Sequence, residues 1–215
     1  MSTSTPQDLI LAAHTHGLPN MLETTGFHPL KHESILSALW EAGLWIGPRD
    51  ALEQLETFKQ IIPYIIVCVG SRFILYKRTQ SGGEARLHER MSIGLGGHID
   101  FSDIIRTGGD INLPETLEAA AHRELAEELG ELDCLSRSWI GGIVDNETSV
   151  GRVHVGIVGL WSIPTFPDGM QEDTIGQICL KSIDELNSID DHLETWSAML
   201  LPHLQNIMTE NSIEP

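Results

Sequence analysis

The segment Arg123-Glu124-Leu125-Ala126-Glu127-Glu128-Leu129-Gly130 constrains this chain more than any other. Glu124, Glu127 and Glu128 stand at i, i+3 and i+4, so on a helix of 3.6 residues per turn they fall within an arc of roughly 100° and their carboxylates point to one side. Leu117, Ala121, Leu125 and Leu129 form an apolar stripe beside that arc. The pattern specifies an amphipathic helix with its acids at the margin of the buried face. Thr116 suits the N-cap and Gly130 the position just past the C-terminus, which predicts a helix over about residues 117–128. Arg123 flanks the acids, and Glu115 precedes the predicted helix, where its carboxylate can reach back to the arginine.

On the residues alone, two readings of the acidic arc are open. One is a solvated helix face, since Glu is a good helix former. The other is a site for a hard divalent cation: Mg²⁺ takes oxygen ligands in octahedral array and completes its shell with water and substrate phosphate. Like charges at the edge of a core repel one another and lose solvation, which favours the second reading. Upstream, Gly96-Gly97-His98 follows an apolar segment, and a glycine pair lets backbone carbonyls and amides approach a metal or phosphate closely.

Together these residues resemble the Nudix box, G-x5-E-x7-R-E-U-x-E-E-x-G-U with U apolar. Gly109, Glu115, Arg123, Glu124, Leu125, Glu127, Glu128 and Gly130 match it, while the last apolar slot holds Glu131, with Leu132 next to it. In the family the box glycine usually closes a Gly-Gly pair directly after a strand, and Gly96-Gly97 looks more like that pair than Gly109 does. Residues 98–114 then carry an insertion of about a dozen residues. A loop anchored there is expected to shape substrate choice more than the cleavage step.

The resemblance implies hydrolysis of the pyrophosphate bond in a nucleoside diphosphate linked to another moiety, or in a related organic pyrophosphate, with Mg²⁺ or Mn²⁺. It implies Glu124, Glu127 and Glu128 as metal ligands, any one of which can instead serve mainly as base, with the Gly96 carbonyl as a further ligand. Arg123 and Glu115 would form an outer pair that orients these ligands. Family members often supply another acid from a loop before the last strand; Glu172, beside Asp173, stands in that region, with a solvated loop acid as the alternative. Arg78 and Arg90 flank a loop expected to border the substrate, and are candidates either for bidentate phosphate contacts or for surface ion pairs. His98 and His154 are both candidate substrate contacts, with a structural role the favoured alternative for His154, which stands inside an apolar strand.

Two alternatives come with the fold. Isopentenyl diphosphate isomerases share it, and Leu75-Tyr76-Lys77-Arg78 resembles theirs loosely, but no Cys lies between Cys68 and Cys134 to act as the catalytic thiol. Non-cleaving nucleotide sensors of this fold typically lose box glutamates, and this chain keeps them.

The net charge of −18, from 31 acidic against 13 basic residues, argues against a nucleic-acid partner. It leaves small phosphorylated substrates open, because a bound cation reverses the field locally. Cys68, Cys134 and Cys179 are odd in number and form no CxxC pair, which predicts buried reduced thiols in a cytosolic protein. The first twenty residues lack a basic region followed by a clean apolar one. Ile61–Val69 is far too short to span a bilayer. The expectation is therefore a cytoplasmic protein with neither membrane nor nucleic-acid partners, with a homodimer left open.

Helical spacing over Glu33–Leu44 and again over Asp50–Gln60 predicts an N-terminal helical extension, residues 1–59. Strand patterns follow at Tyr64–Val69, Arg72–Arg78 and Met91–Leu95, then at Ser138–Val144, Val153–Ile163 and Thr174–Leu180, with closing helices after Ile183. The expected fold class is α/β, a Nudix-type α/β/α sandwich with a mixed sheet over residues 60–215.

Overall fold

A computed structural model describes residues 9–18, 24–78, 90–167 and 175–211. In chain order the elements are β1 (Leu9–His14), β2 (Gly26–Pro29), α1 (His32–Ala42), β3 (Leu44–Pro48), α2 (Arg49–Leu52), β4 (Phe58–Val69), β5 (Arg72–Arg78), and the short β6 (Met91–Ser92) and β7 (Gly94–Leu95). They continue with β8 (Arg106–Thr107), β9 (Asp110–Ile111), α3 (Leu113–Leu129), β10 (Ser136–Val144), β11 (His154–Ser162), β12 (Ile175–Lys181), α4 (Ile183–Asn187), α5 (Thr195–Leu200) and α6 (Leu204–Glu210). The chain divides into two compact units. Met1–Tyr64, Gly96–His122 and Trp139–Val158 make the first, and Ile65–Leu95, Arg123–Ser138 and Gly159–Pro215 the second.

In the first unit the strands run in the order β3-β1-β4-β11-β10-β2. β1 is antiparallel to β3, with Leu11 opposite Ile46, and to the start of β4, with His14 opposite Phe58. Its side chains alternate: Leu11 and Ala13 join a core with Ile35 and Leu39 of α1 and Leu113, Leu117 and Ala120 of α3, while Ile10 and Ala12 pack with Leu52 of α2 on the other face. A strand covered by helices on both faces is apolar at every position. This is the α/β layering the sequence implies.

The N-terminal segment is not the expected helical extension. α1 forms where the spacing places it, but the helix expected over Asp50–Gln60 stops at Leu52 and β4 begins at Phe58. β1, β2 and β3 add three strands to the sheet. The four central residues of Leu9–His14 are buried on both faces, and such a run carries no period to read.

The insertion after His98 is a folded element. Asp100 and Asp103 cap a 3-10 turn at Phe101–Asp103, and β8 and β9 form a hairpin whose turn glycines, Gly108 and Gly109, have φ of 64° and 98°. Two consecutive positive φ values are what a two-residue hairpin turn demands. Gly109 is thus a hairpin residue. Leu11 N–H donates to the Ile99 carbonyl, and Asn112 N–H to that of Ile105.

In the second unit the order is β12-β5-β4-β11, with β6 on β5 and β7 on β4. Glu194 accepts from the backbone N–H groups of Trp196 and Ser197 at the start of α5. Ser197 Oγ in turn accepts from Ile93 N–H at 3.0 Å, tying the C-terminal helices to the β6–β7 segment. Of the three cysteines only Cys68 is buried; Cys134 is half-buried and Cys179 exposed, which corrects the expectation of three buried thiols. Burial pushes the Cys68 thiol up to about 11, so it stays protonated at neutral pH. Among the described residues no helix is long and apolar enough to cross a membrane.

Candidate active site

α3 begins at Leu113, four residues before the predicted start, because Asn112 caps it: its Oδ1 accepts from Glu115 N–H at 3.4 Å. Pro114 is tolerated in a first turn, where its missing N–H has no helical partner to lose. Thr116, expected at the cap, is instead buried inside the helix and accepts from Ile105 N–H at 3.1 Å. Glu115 lies within the first turn, exposed, and not ahead of the helix. The other end matches the expectation: Gly130, at φ 81°, stops the helix with its N–H on the Ala126 carbonyl.

The acidic stretch of α3 sits in the second unit beside buried Leu125 and Leu129. Its carboxylates are graded in exposure: Glu128 is buried at 8 %, the Glu124 side chain is 16 % exposed, and that of Glu127 is 47 % exposed. Arg123 Nη1 donates to Glu124 Oε1 at 2.9 Å and to Glu127 Oε2 at 3.2 Å. Two carboxylates a turn apart therefore reach one cationic point. Among the described residues no three His, Cys, Asp or Glu side chains are drawn together as a metal cage. The fit to a cation rests on the donor set, which is carboxylate oxygen throughout and so suits hard Mg²⁺ or Mn²⁺ over soft metals.

In the first unit, Gly96 has φ 145° and lies so close to Pro63 that a Cβ would fall 1.9 Å from its carbonyl oxygen. No side chain fits there. Two residues on, His98 Nε2 lies 3.4 Å from Nε2 of His154, which is 9 % exposed and whose Nδ1 donates to the Val150 carbonyl at 2.7 Å.

The turn between β10 and β11 is built around two buried charges. Asp145 accepts from Thr148 Oγ1 at 2.6 Å and from the N–H groups of Glu147 and Thr148. Burial pushes its carboxyl up, but these bonds and the charge of Lys59 outweigh it and hold the group below its ordinary value. Lys59, 5 % exposed, donates to Asn146 Oδ1 and to the carbonyls of Gly151 and Arg152 at 2.9–3.1 Å. A cavity of about 330 Å³ lined by Thr15, His16, Leu18, Glu56, Lys59, Asn146 and Arg152 adjoins it. The strand patterns on either side imply a turn here but not the buried charges that build it. The available signals were a lysine inside an apolar strand and the Asp145-x-x-Thr148 spacing of a self-bonded turn.

Burial pulls the Lys59 ammonium down to about 8, against the raising effect of Asp145 and Glu56. Its folded value lies below the ordinary 10.5, so the unfolded chain holds this proton more tightly. The penalty is full below pH 8 and disappears as pH rises towards 10.5. Urea titrations of wild type and Lys59→Met across that window are expected to show wild type gaining up to about 3 kcal/mol relative to the variant. A constant difference would contradict a buried, charged Lys59.

Of the remaining predicted site residues, Arg90 donates from Nη1 to the carbonyls of Asp191 at 2.8 Å and Leu193 at 3.2 Å. Arg78 ends β5, its backbone opposite Ile175. Glu172 lies outside the described residues.

No family model matches the sequence. Protein YmaB of Bacillus subtilis is 34 % identical over 163 residues, 73 % of this chain and 76 % of that protein. The crystal structure of Tm1382, assigned to the Nudix hydrolases, is similar at a TM-score of 0.74 and 26 % identity, covering 93 % of this chain and 99 % of that one. The chain belongs to the Nudix hydrolase superfamily, enzymes that act on phosphorus-containing anhydrides.

Proposed function

We propose that this protein hydrolyses the pyrophosphate bond of a nucleoside diphosphate linked to another moiety, or of a related organic pyrophosphate, with Mg²⁺ or Mn²⁺. The observation that carries this reading is the convergence of Glu124 and Glu127 on Arg123 Nη1 next to the buried Glu128. Those three carboxylates would hold the cation, with the Gly96 carbonyl added on the family's pattern. A bound cation neutralises charge on the phosphoryl oxygens and makes its water more acidic. Arg123 gathers Glu124 and Glu127, and the box pattern adds Glu115 as an orienting acid. His98 contacts the substrate. Arg78 and Glu172 keep the roles their sequence positions suggest, whereas the bonds of Arg90 support a role in anchoring the turn at 190–193. The isomerase and sensor readings are set aside, since the thiol of one is missing and the glutamates lost by the other are present.

The test is a panel of nucleotide and non-nucleotide pyrophosphates, assayed for phosphate release with Mg²⁺ and with Mn²⁺. At least one substrate is expected to be cleaved only with metal; no cleavage across the panel with either metal overturns the reading. Metal is also expected to stabilise the fold, because a ligand at a hundredfold excess over Kd adds about 2.7 kcal/mol. At roughly 2–4 °C per kcal/mol for a chain this size, thermal melts should shift up by roughly 5–10 °C in wild type. The shift should vanish in Glu128→Gln.

A further inference from the structure

Lys59 carries its charge at 5 % exposure, and among the described residues every oxygen bonded to it is neutral: Asn146 Oδ1 and the carbonyls of Gly151 and Arg152 at 2.9–3.1 Å, with that of His154 at 3.4 Å. Buried charges are ordinarily paired, because an ion without a counter-ion is costly to desolvate. Here the nearby carboxylates act only through space: Asp145 is bonded to Thr148 and to the N–H of Glu147, and Glu56 accepts from Arg152 Nε at 2.7 Å. Their attraction does not make up for burial, which pulls the ammonium down. The chain thus gives Lys59 hydrogen-bond acceptors but too little negative charge.

The cavity beside Lys59, about 330 Å³, has room for the missing charge, and its walls are fixed. On one side Thr15 N–H and Oγ1 both donate to the Thr57 carbonyl, at 3.0 and 3.1 Å, and His16 N–H donates to His14 Nδ1, which ties the 3-10 turn Thr15–Gly17 to the start of β4. On the other side Asn146 N–H donates to Thr25 Oγ1 and Gly151 N–H to Thr148 Oγ1, each at 3.0 Å. A preformed pocket loses little freedom when a ligand enters. Arg152 gives Nε to Glu56 and Nη1 to the Glu147 carbonyl at 3.1 Å, so its guanidinium is held in place, and among the described residues nothing accepts from its Nη2. Guanidinium hydrogens can only be donated, and they pair best with an oxyanion. In a chain of net charge −18, a cavity lined by Lys59, Arg152 and His16 reverses the field locally.

We propose that this cavity is a binding site for the oxyanion group, carboxylate or phosphate, of a small molecule, with Lys59 as its buried counter-charge and Arg152 Nη2 and the His16 imidazole as hydrogen-bond donors. Lys59 acts through its charge, since its hydrogens already have acceptors. None of the lining residues is among those assigned to the cation or the pyrophosphate, so the inference goes beyond the hydrolase reading and does not depend on it.

Sulfate and acetate are the probes, one shaped like phosphate and the other a carboxylate, at an ionic strength held constant with sodium chloride. Neither changes charge between about pH 7.5 and 10, and the other titratable groups here, Asp145, Glu56, Arg152 and His16, are of types that ordinarily titrate outside that window. ¹H–¹⁵N correlation spectra of the wild-type chain are expected to show saturable shifts at millimolar anion, confined to residues 15–18 and 146–152; the anion that saturates first identifies the group. ¹³C-lysine spectra follow the Lys59 ammonium, which titrates at about 8 in the free protein. A bound anion is expected to raise that midpoint by about one unit, which by linkage means about tenfold weaker binding at pH 10 than at pH 7.5. Arg152→Gln should weaken binding about tenfold, and Lys59→Met should abolish it. Shifts that do not saturate with either anion, or a Lys59 midpoint that saturating anion leaves in place, overturn the proposal and make Lys59 a brace of its turn alone. Both are read on wild type, so they decide even if Lys59→Met fails to fold. Equal affinity in wild type and folded Arg152→Gln overturns it too.

Discussion

Glu128→Gln is expected to lower kcat by about a hundredfold or more while the protein stays folded. The substitution removes a negative charge from a carboxylate that is 8 % exposed and leaves the shape of the side chain almost unchanged. A buried neutral amide is no harder to hold than a buried carboxylate. A cation site, by contrast, loses one of its three charged oxygen ligands, and effects of this size follow the removal of even a residue that merely supports a metal ligand. Circular dichroism and thermal melts report the fold, and steady-state phosphate release reports turnover. Glu118→Gln is the control: Glu118 stands on the same helix, where it accepts from Trp139 Nε1 at 3.0 Å, and its loss should leave kcat within a few-fold. Equal activity in Glu128→Gln and wild type would sink the metal assignment.

The second large effect is on stability. Gly96→Ala places a methyl group 1.9 Å from the Pro63 carbonyl oxygen and 3.0 Å from its carbonyl carbon, at φ 145°. Neither obstacle is a flexible side chain, so the backbone itself has to move. Strained backbone of this kind costs about 1–3 kcal/mol before any overlap is counted, and the overlap adds to it. The midpoint of thermal unfolding should fall by about 10 °C or more, at roughly 2–4 °C per kcal/mol. Gly108→Ala is the comparison, because no atom lies within 4 Å of a Cβ there, although φ is 64°. Its loss should be no more than about 1–2 kcal/mol. Equal melting of the two variants would show that the contact with Pro63 gives way freely.

Much of α3 was legible in advance. Its acidic arc, apolar stripe and terminal glycine all lie in one window of the chain, and the geometry of a helix converts spacing into facing without help from the rest of the molecule. The start was misjudged because Asn112 and Thr116 are both good caps and only the bonds formed in the fold choose between them. β1 and β3 escaped notice for a different reason: strands covered on both faces, or short and next to a helix, carry no alternation that separates them from their neighbours. The number and spacing of the cysteines carry no information on which face of a strand a thiol occupies, and Cys179 is exposed.

What the sequence determined by itself was the acidic helix, its row of carboxylates and, through them, the family, because each depends on contacts within a few residues. The tertiary structure decided which carboxylate is buried, that Gly96 is pressed against Pro63, that Lys59 and Asp145 brace one turn, and that His98 meets a histidine 56 residues further along. Those facts arise from the pairing of distant strands and from the close packing of the core, and no local window of a chain specifies them.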